Sequence, residues 1–230
     1  MRRCDREANR VLAGAEPFAQ VERSRIAELA ARSICRRIGR GRILFREGGE
    51  CGGLHVVVTG RIRVYRASRD GRTQVLYTAE AGDVLGEASV FAGGRHPASA
   101  MAVEASRVLF VPAADVRRLF DADPVMARAV VADVGRRLGR LADLVDLLVL
   151  HEVPERVAAA LVEYAEERGA MRDGGEFELP GTQGELAAEL GTTRESVARA
   201  LGMLRERRAI EQRGGRVRVL DIEALRETAA

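Results

Sequence analysis

The sequence predicts an α+β fold made of an N-terminal antiparallel β-barrel (jelly roll), a long dimerisation helix and a C-terminal winged helix-turn-helix. Three observations carry this. Short apolar segments broken by glycines run from Arg42 to Val111, an apolar stripe recurs every three or four residues from Val131 to Leu148, and Thr182 to Leu204 reads as two short amphipathic helices joined at Gly191. The corresponding boundaries are 1–114, 115–151 and 152–230.

Residues 1 to about 35 read as helical, with Val21, Ile26, Leu29, Ala30 and Ile34 spaced for one apolar face and Pro17 opening a turn. Beyond Arg42 the period shortens. ILF, LHVVVTGRIRVYRA and QVLYTAE are separated by Gly48-Gly49, Gly52-Gly53, Gly60, Asp70-Gly71 and Gly82, and Asp70-Gly71 is the clearest hairpin signal. Gly82 to Ala88 interrupts this rhythm with small residues and a carboxylate; a short helix opening after Gly86 would point free amides at an anion, and an ordinary barrel turn is the alternative.

After Pro112 a helix begins at Asp115, and Pro124 restarts it. Val131, Val134, Leu138, Leu141, Val145 and Leu148 form a heptad seam. So narrow a stripe is buried best by a partner helix, which predicts a parallel homodimer. His151 to Pro154 breaks the helix and is the expected hinge. A helix over Glu155 to Arg168, a short strand at Phe177 to Leu179, and a hairpin turning at Gly214-Gly215 complete the chain.

In Thr182 to Leu204, two Thr-x-x-Glu boxes, Thr182 with Glu185 and Thr192 with Glu195, mark the helix starts. At about 100° per residue, Val197, Leu201 and Leu204 share one side of the second helix, while Arg194, Glu195, Ala198 and Arg199 take the opposite flank. One side packs and the other is free for contact.

Composition narrows the classes. The 37 basic residues are all arginine and face 34 acidic ones, a formal net charge of +3, so affinity for an acidic partner depends on where charge sits. There is no run of about 18 apolar residues and no apolar leader segment, so the expected location is cytoplasmic, with no membrane partner. Cys4, Cys35 and Cys51 are odd in number and widely spaced, which argues against a disulfide framework. No nucleophile-base pair, phosphate loop or metal-ligand spacing suggests an enzyme, and the cofactor is left unknown.

GDVLGEASVF, the long helix and ELAAELGTTRESVARALGMLRE, in this order and separation, resemble the CRP/FNR superfamily of transcription regulators over about residues 20 to 222. The resemblance implies a homodimeric, sequence-specific DNA-binding regulator with a cyclic-nucleotide-binding-type domain, a small-molecule effector, and RNA polymerase as a partner. It places Arg194, Glu195 and Arg199 at base-reading positions, which suits their chemistry: arginine donates twice to guanine and glutamate accepts from cytosine. Thr182, Gln183, Thr193, Arg213 and Arg216 are expected at phosphates. The FNR type has Ser three residues after the Glu, where this chain has Ala198. Arg-Glu-x-x-x-Arg is closer to the CRP type, so a palindromic site with TGTGA-like half-sites is expected.

In the effector pocket the resemblance assigns Gly86, Glu87 and Ala88 to its start, with Glu87 accepting from a ribose hydroxyl. The family's cyclic-AMP binders hold the phosphate with an Arg-Ser pair. The corresponding positions here are Pro97 and Ala98, with Arg95 two residues earlier as the nearest substitute. Leu141 and Ala142 stand where the cyclic-AMP type offers Thr and Ser to the purine. An effector other than cyclic AMP is therefore expected. Haem would need an axial ligand, for which His96 is the candidate. The rival reading is a cyclic-nucleotide or haem sensing module whose DNA binding is effector-independent or absent, against which the winged helix argues.

Overall fold

The computed structural model describes residues 3–68 and 72–229. They form two compact units, Met1–Arg66 with Leu76–Leu141, and Ala67–Val75 with Ala142–Ala230.

The first unit opens with helices α1 (Arg3–Gly14) and α2 (Arg23–Arg32). The eight strands β1 (Ile34–Ile38), β2 (Ile43–Phe45), β3 (Gly53–Thr59), β4 (Ile62–Ala67), β5 (Thr73–Ala79), β6 (Val84–Leu85), β7 (Ser99–Ala102) and β8 (Ser106–Pro112) follow, with helix α3 (Glu87–Ala92) between β6 and β7. They make two four-stranded sheets, β1-β8-β3-β6 and β2-β7-β4-β5. This is a jelly roll of two facing sheets rather than a closed barrel.

Its interior is filled from both sheets, by Val57, Leu85 and Val108 on one side and Ile62, Val64 and Ala100 on the other. The outer face of the first sheet is covered by α1, the 3-10 turn Glu16–Phe18 that follows it, α2, α4 (Ala113–Ala122) and the start of α5 (Pro124–Leu150), through Leu12, Phe18, Leu29, Val116 and Met126 packed on Leu54, Val56 and Leu109. β3 is thus covered on both faces, which explains why LHVVV is a continuous apolar run and not an alternation.

Two readings of the first unit need correction or restriction. Ile34 does not extend the apolar face of α2. Ser33 adopts an extended conformation that ends the helix, and Ile34 begins β1 opposite Phe110, 52% exposed. The Asp70-Gly71 turn lies outside the described residues, although Ser68 N–H donates to Arg72 O across it at 2.8 Å.

In the second unit, α6 (Val153–Glu167) begins two residues earlier than expected, because Pro154 sits in the first turn, where its missing N–H costs nothing. β9 (Glu176–Glu178), α7 (Gln183–Glu189), α8 (Arg194–Glu206), β10 (Ile210–Arg213), β11 (Arg216–Val219) and α9 (Ile222–Ala229) follow. The sheet order is β10-β11-β9, with the wing hairpin turning at Gly214, whose φ is +60°. Val157, Leu161, Leu186, Leu201, Leu204 and Ile210 form its core.

Helix α8 ends in a left-handed residue that is not glycine. Arg208 has φ of +59°, and Ala209 N–H closes on Leu204 O at 3.0 Å. A side chain is strained in that conformation by roughly 1 kcal/mol. Arg208→Gly is expected to raise the stability of the second unit by about 0.5–1 kcal/mol in urea unfolding, and a lower midpoint would contradict this account.

Candidate functional site

The helix-turn-helix is built by its caps. Thr182 Oγ1 accepts from Glu185 N–H at 3.2 Å, and Glu185 Oε2 accepts from Thr182 N–H at 2.8 Å, so the first box forms as its sequence suggests. The second does not. The cap of α8 is Thr193 rather than Thr192, and its hydroxyl accepts from Ser196 N–H at 3.2 Å. One residue of turn is taken by Gly191, with φ of +62°, which moves the start of the helix along.

This shift releases Glu195 from the role of capping-box partner to Thr192. Its carboxylate is fully exposed and held below the usual range by its own backbone N–H and then by Thr193, so it is an ionised acceptor at neutral pH. Arg194, Glu195 and Arg199 are all exposed, while Val197, Ala200, Leu201 and Leu204 are buried. Arg199 Nη2 rests on Ser196 Oγ at 3.2 Å. The helix therefore presents two guanidiniums and a carboxylate on its free flank.

Of the residues expected at phosphates, Thr182 and Thr193 are exposed and Gln183 is half-buried at the first position of α7. The wing arginines are already paired. Arg213 lies 2.8 Å from Glu211, and Arg216 lies 3.7 Å from Glu178 and 4.0 Å from Glu176.

In the first unit, Gly86 turns the chain into α3 with φ of +99°, and a Cβ there would lie 3.1 Å from Gly53 O. The next residue, Glu87, is 3% exposed. Its partner is Arg137 of α5, Nη2 to Oε1 at 2.7 Å. The same guanidinium donates from Nε to Asp133 Oδ2 at 3.1 Å, from Nη1 to Tyr77 Oη at 2.9 Å, and from Nη2 to Val84 O. Burial pushes the Glu87 carboxyl up to about 7, against the pull of Arg137.

The other expected pocket residues are dispersed. Ala88 is exposed, Pro97 is exposed, and Ala98 is buried between the sheets. Arg95 is exposed and donates from Nη1 to Gly48 O at 2.7 Å. Leu141 and Ala142 are exposed on α5.

His96 is a core residue, 4% exposed, with its ring stacked on Phe45 at 3.9 Å and Nδ1 3.1 Å from Ser89 Oγ. That packing disfavours its use as an axial ligand. His55, on the inner face of β3, is held down to about 4 by burial, then by Arg36 and His96, and is neutral at pH 7.

Most of the seam of α5 is exposed among the described residues. Val131, Val134, Leu138, Leu141 and Val145 are 38–68% exposed, and Leu148 is half-buried. A different stripe of the helix, Met126, Val130 and Asp133, is buried and leads to Arg137. Arg137, Asp133 and Tyr77 were not singled out by sequence reasoning. The available signal was an Asp-x-x-x-Arg pair continuing the Met126 and Val130 spacing, a charged pair where a surface helix usually places apolar residues.

A jelly roll, a long helix with an open apolar seam and a winged helix-turn-helix define a class of DNA-binding regulator with an N-terminal sensor-type domain. The family model described as Cyclic nucleotide-binding domain matches residues 35–123, and that described as Crp-like helix-turn-helix domain matches residues 155–228. Over 221 residues the chain is 30% identical to the CRP-like cAMP-activated global transcriptional regulator of Mycobacterium tuberculosis, covering 95% of this chain and 98% of that one. It is 34% identical over 191 residues to the Cyclic AMP receptor protein of Thermus thermophilus, covering 83% and 85%. A solved structure of a Crp/Fnr-family regulator from Eubacterium rectale shares the fold, with a TM-score of 0.78 at 20% identity over 94% of this chain and 98% of that one. The chain belongs to the CRP/FNR family of transcription regulators.

The buried Glu87 fixes a pH dependence. Its folded pKa of about 7 lies above the ordinary 4.5, so the native state keeps a proton that the unfolded chain has released. Stability is therefore expected to fall as pH rises from about 5 to 7.5, by several degrees in thermal midpoint. Glu87→Gln cannot ionise and should flatten that slope; an unchanged slope in thermal melts of the variant would refute the assignment.

Proposed function

We propose that this regulator reads a palindromic site with TGTGA-like half-sites through Arg194, Glu195 and Arg199 of α8. The observation that carries the reading is the exposed flank of α8, two arginines and an ionised glutamate on a helix whose other side is packed. A bidentate arginine on guanine and a glutamate on cytosine N4 are the chemistry of such half-sites. Thr182, Gln183, Thr193, Arg213 and Arg216 would set register on phosphates. Two copies pairing through the α5 seam, from Val131 to Leu148, would present two recognition helices, and RNA polymerase would be the partner that turns binding into transcription.

Residues 1–114 would be the sensor, 115–151 the dimerisation helix and 152–230 the DNA-binding domain, in a protein acting in the cytoplasm. The two curated relatives are named for cyclic AMP, but the pocket residues of this chain favour a different effector. Pro97 and Ala98 supply no charge for a phosphate, Arg95 is exposed and donates to Gly48 O, and four protein groups engage Arg137. A buried phosphate without a cationic partner is strongly disfavoured. The same engagement of Arg137 favours, as a second reading, a regulator competent without any effector.

Binding-site selection followed by gel shift tests both parts. Arg194→Ala and Arg199→Ala should each weaken the selected site by about 10- to 100-fold, and the selected half-sites should contain the G·C pairs these residues read. Micromolar cyclic AMP should leave the affinity of the parent within about twofold. Selected sites lacking those G·C pairs would sink the base-reading assignment, and marked activation by cyclic AMP would sink the effector reading.

A further inference from the structure

We infer that Arg156 of α6 is a positioning residue for sequence-specific DNA recognition, acting by holding the turn of the helix-turn-helix at Leu190; this rests on the reading of α8 as the base-reading helix. Arg156 is 8% exposed, and its Nη1 donates to Leu190 O at 2.8 Å. Leu190 closes α7, immediately before Gly191, whose left-handed backbone turns the chain toward α8. The last carbonyls of a helix have no partner within it, and a cation there is favoured by the helix dipole. Arg156 meets both conditions at the residue from which the turn departs.

A second tether lies two helical turns further along α6, where Tyr164 Oη donates to Glu189 Oε2 at 2.9 Å. Residues 156 and 164 share one face of α6, so this helix grips the end of α7 at two successive residues. Leu186 and Leu190 bury their side chains in the common core, which leaves the backbone at Leu190 as the point where a polar anchor can act.

The guanidinium is not fully engaged. Its Nε is buried without a hydrogen-bond partner among the described residues. Arg156 also lines an open cleft of about 600 Å³ between the amino end of α6 and the recognition helix, where Ser196 and Arg199 form the facing wall. A buried arginine with an unused donor is a costly feature for stability alone, since an apolar side chain would fill the same space without the desolvation cost. Its use is geometric: it fixes the start of the turn and so the angle at which Arg194, Glu195 and Arg199 leave the domain.

Base contacts need that angle, whereas non-specific binding needs only positive charge near phosphates. The test compares the full-length parent with Arg156→Met and Arg156→Lys on a selected site and on a scrambled duplex of equal length, alongside thermal melts. Arg156→Met should lose about 10- to 100-fold on the selected site and stay within about twofold on the scrambled one. Arg156→Lys, which keeps the charge but not the fork, should lose about 3- to 10-fold on the selected site only.

Equal losses on both duplexes would overturn the inference, as would a salt slope reduced by about one, which would make Arg156 a phosphate contact. Should Arg156→Met fail to fold, the ratio measured for Arg156→Lys decides. Arg199→Ala is the control: if that variant keeps its selectivity, the base-reading assignment fails, whereas if it loses selectivity and the Arg156 variants do not, the positioning role fails.

Discussion

A guanidinium drawn half out of water needs partners in place of it, and in the first unit the half-buried Arg137 is met by groups from four elements. Tyr77 comes from β5, Val84 O from β6, Glu87 from the opening of α3, and Asp133 from α5 itself. Removing Arg137 would leave the Glu87 carboxyl without its cation in a water-poor site, where an unpaired charge costs several kcal/mol, whereas Asp133 would keep Arg136. The first half of α5 is thereby tied to the turn at Gly86. Any ligand that draws Glu87 away must also change what Arg137 holds, so the sensor turn and the long helix are one electrostatic unit.

That tie also decides which stripe of α5 is left open. Met126, Val130, Asp133 and Arg137 recur at intervals of four, three and four, and the seam residues Val131, Val134, Leu138 and Leu141 recur at similar intervals, displaced around the helix. Either spacing can pack. With Arg137 anchored inward, the seam faces away from the jelly roll, and a helix surface of leucine and valine at such exposure is the kind that pairs with a second copy. Regulators of this family bind DNA as dimers, in keeping with a seam exposed from Val131 to Val145.

The fold was legible wherever hydrophobic period and turn chemistry spoke together. The strands around LHVVV, the seam, the glycine turn at Gly191 and the wing at Gly214 could all be read from spacing. Legibility ended where a polar residue was buried or a cap moved by one position. Two adjacent threonines offer equal caps, and only the length of the Gly191 turn selects Thr193. His96, in a glycine-rich loop, reads as a surface residue until Phe45 and Ser89 are brought to it from other elements. Arg137 and Arg156 are two among 37 arginines, and nothing local distinguishes a buried one from the solvated majority.

The same distinction bears on how the DNA-binding unit divides its work. On the wing sheet, Arg213, Arg216 and Arg218 stand beside Glu211, Glu178 and Glu176, at 2.8 to 4.0 Å. Exposed pairs of this kind hold each other by about 0–1 kcal/mol, so phosphates can displace the glutamates, but every arginine that turns to a phosphate leaves a carboxylate facing DNA. On the proposed reading, the wing would therefore be a weak source of sequence-independent affinity. Helix α8 differs: Glu195 is held ionised by its own backbone and Thr193, with Arg194 and Arg199 nearby, and Arg199 donates to the hydroxyl of Ser196. At an exposed site, giving up that contact with a hydroxyl leaves no stranded carboxylate behind, unlike the release of a wing arginine. On the proposed reading of α8, the balance of affinity would fall on the residues that can touch base edges, and the neutralised wing would contribute to selectivity as much as the recognition helix.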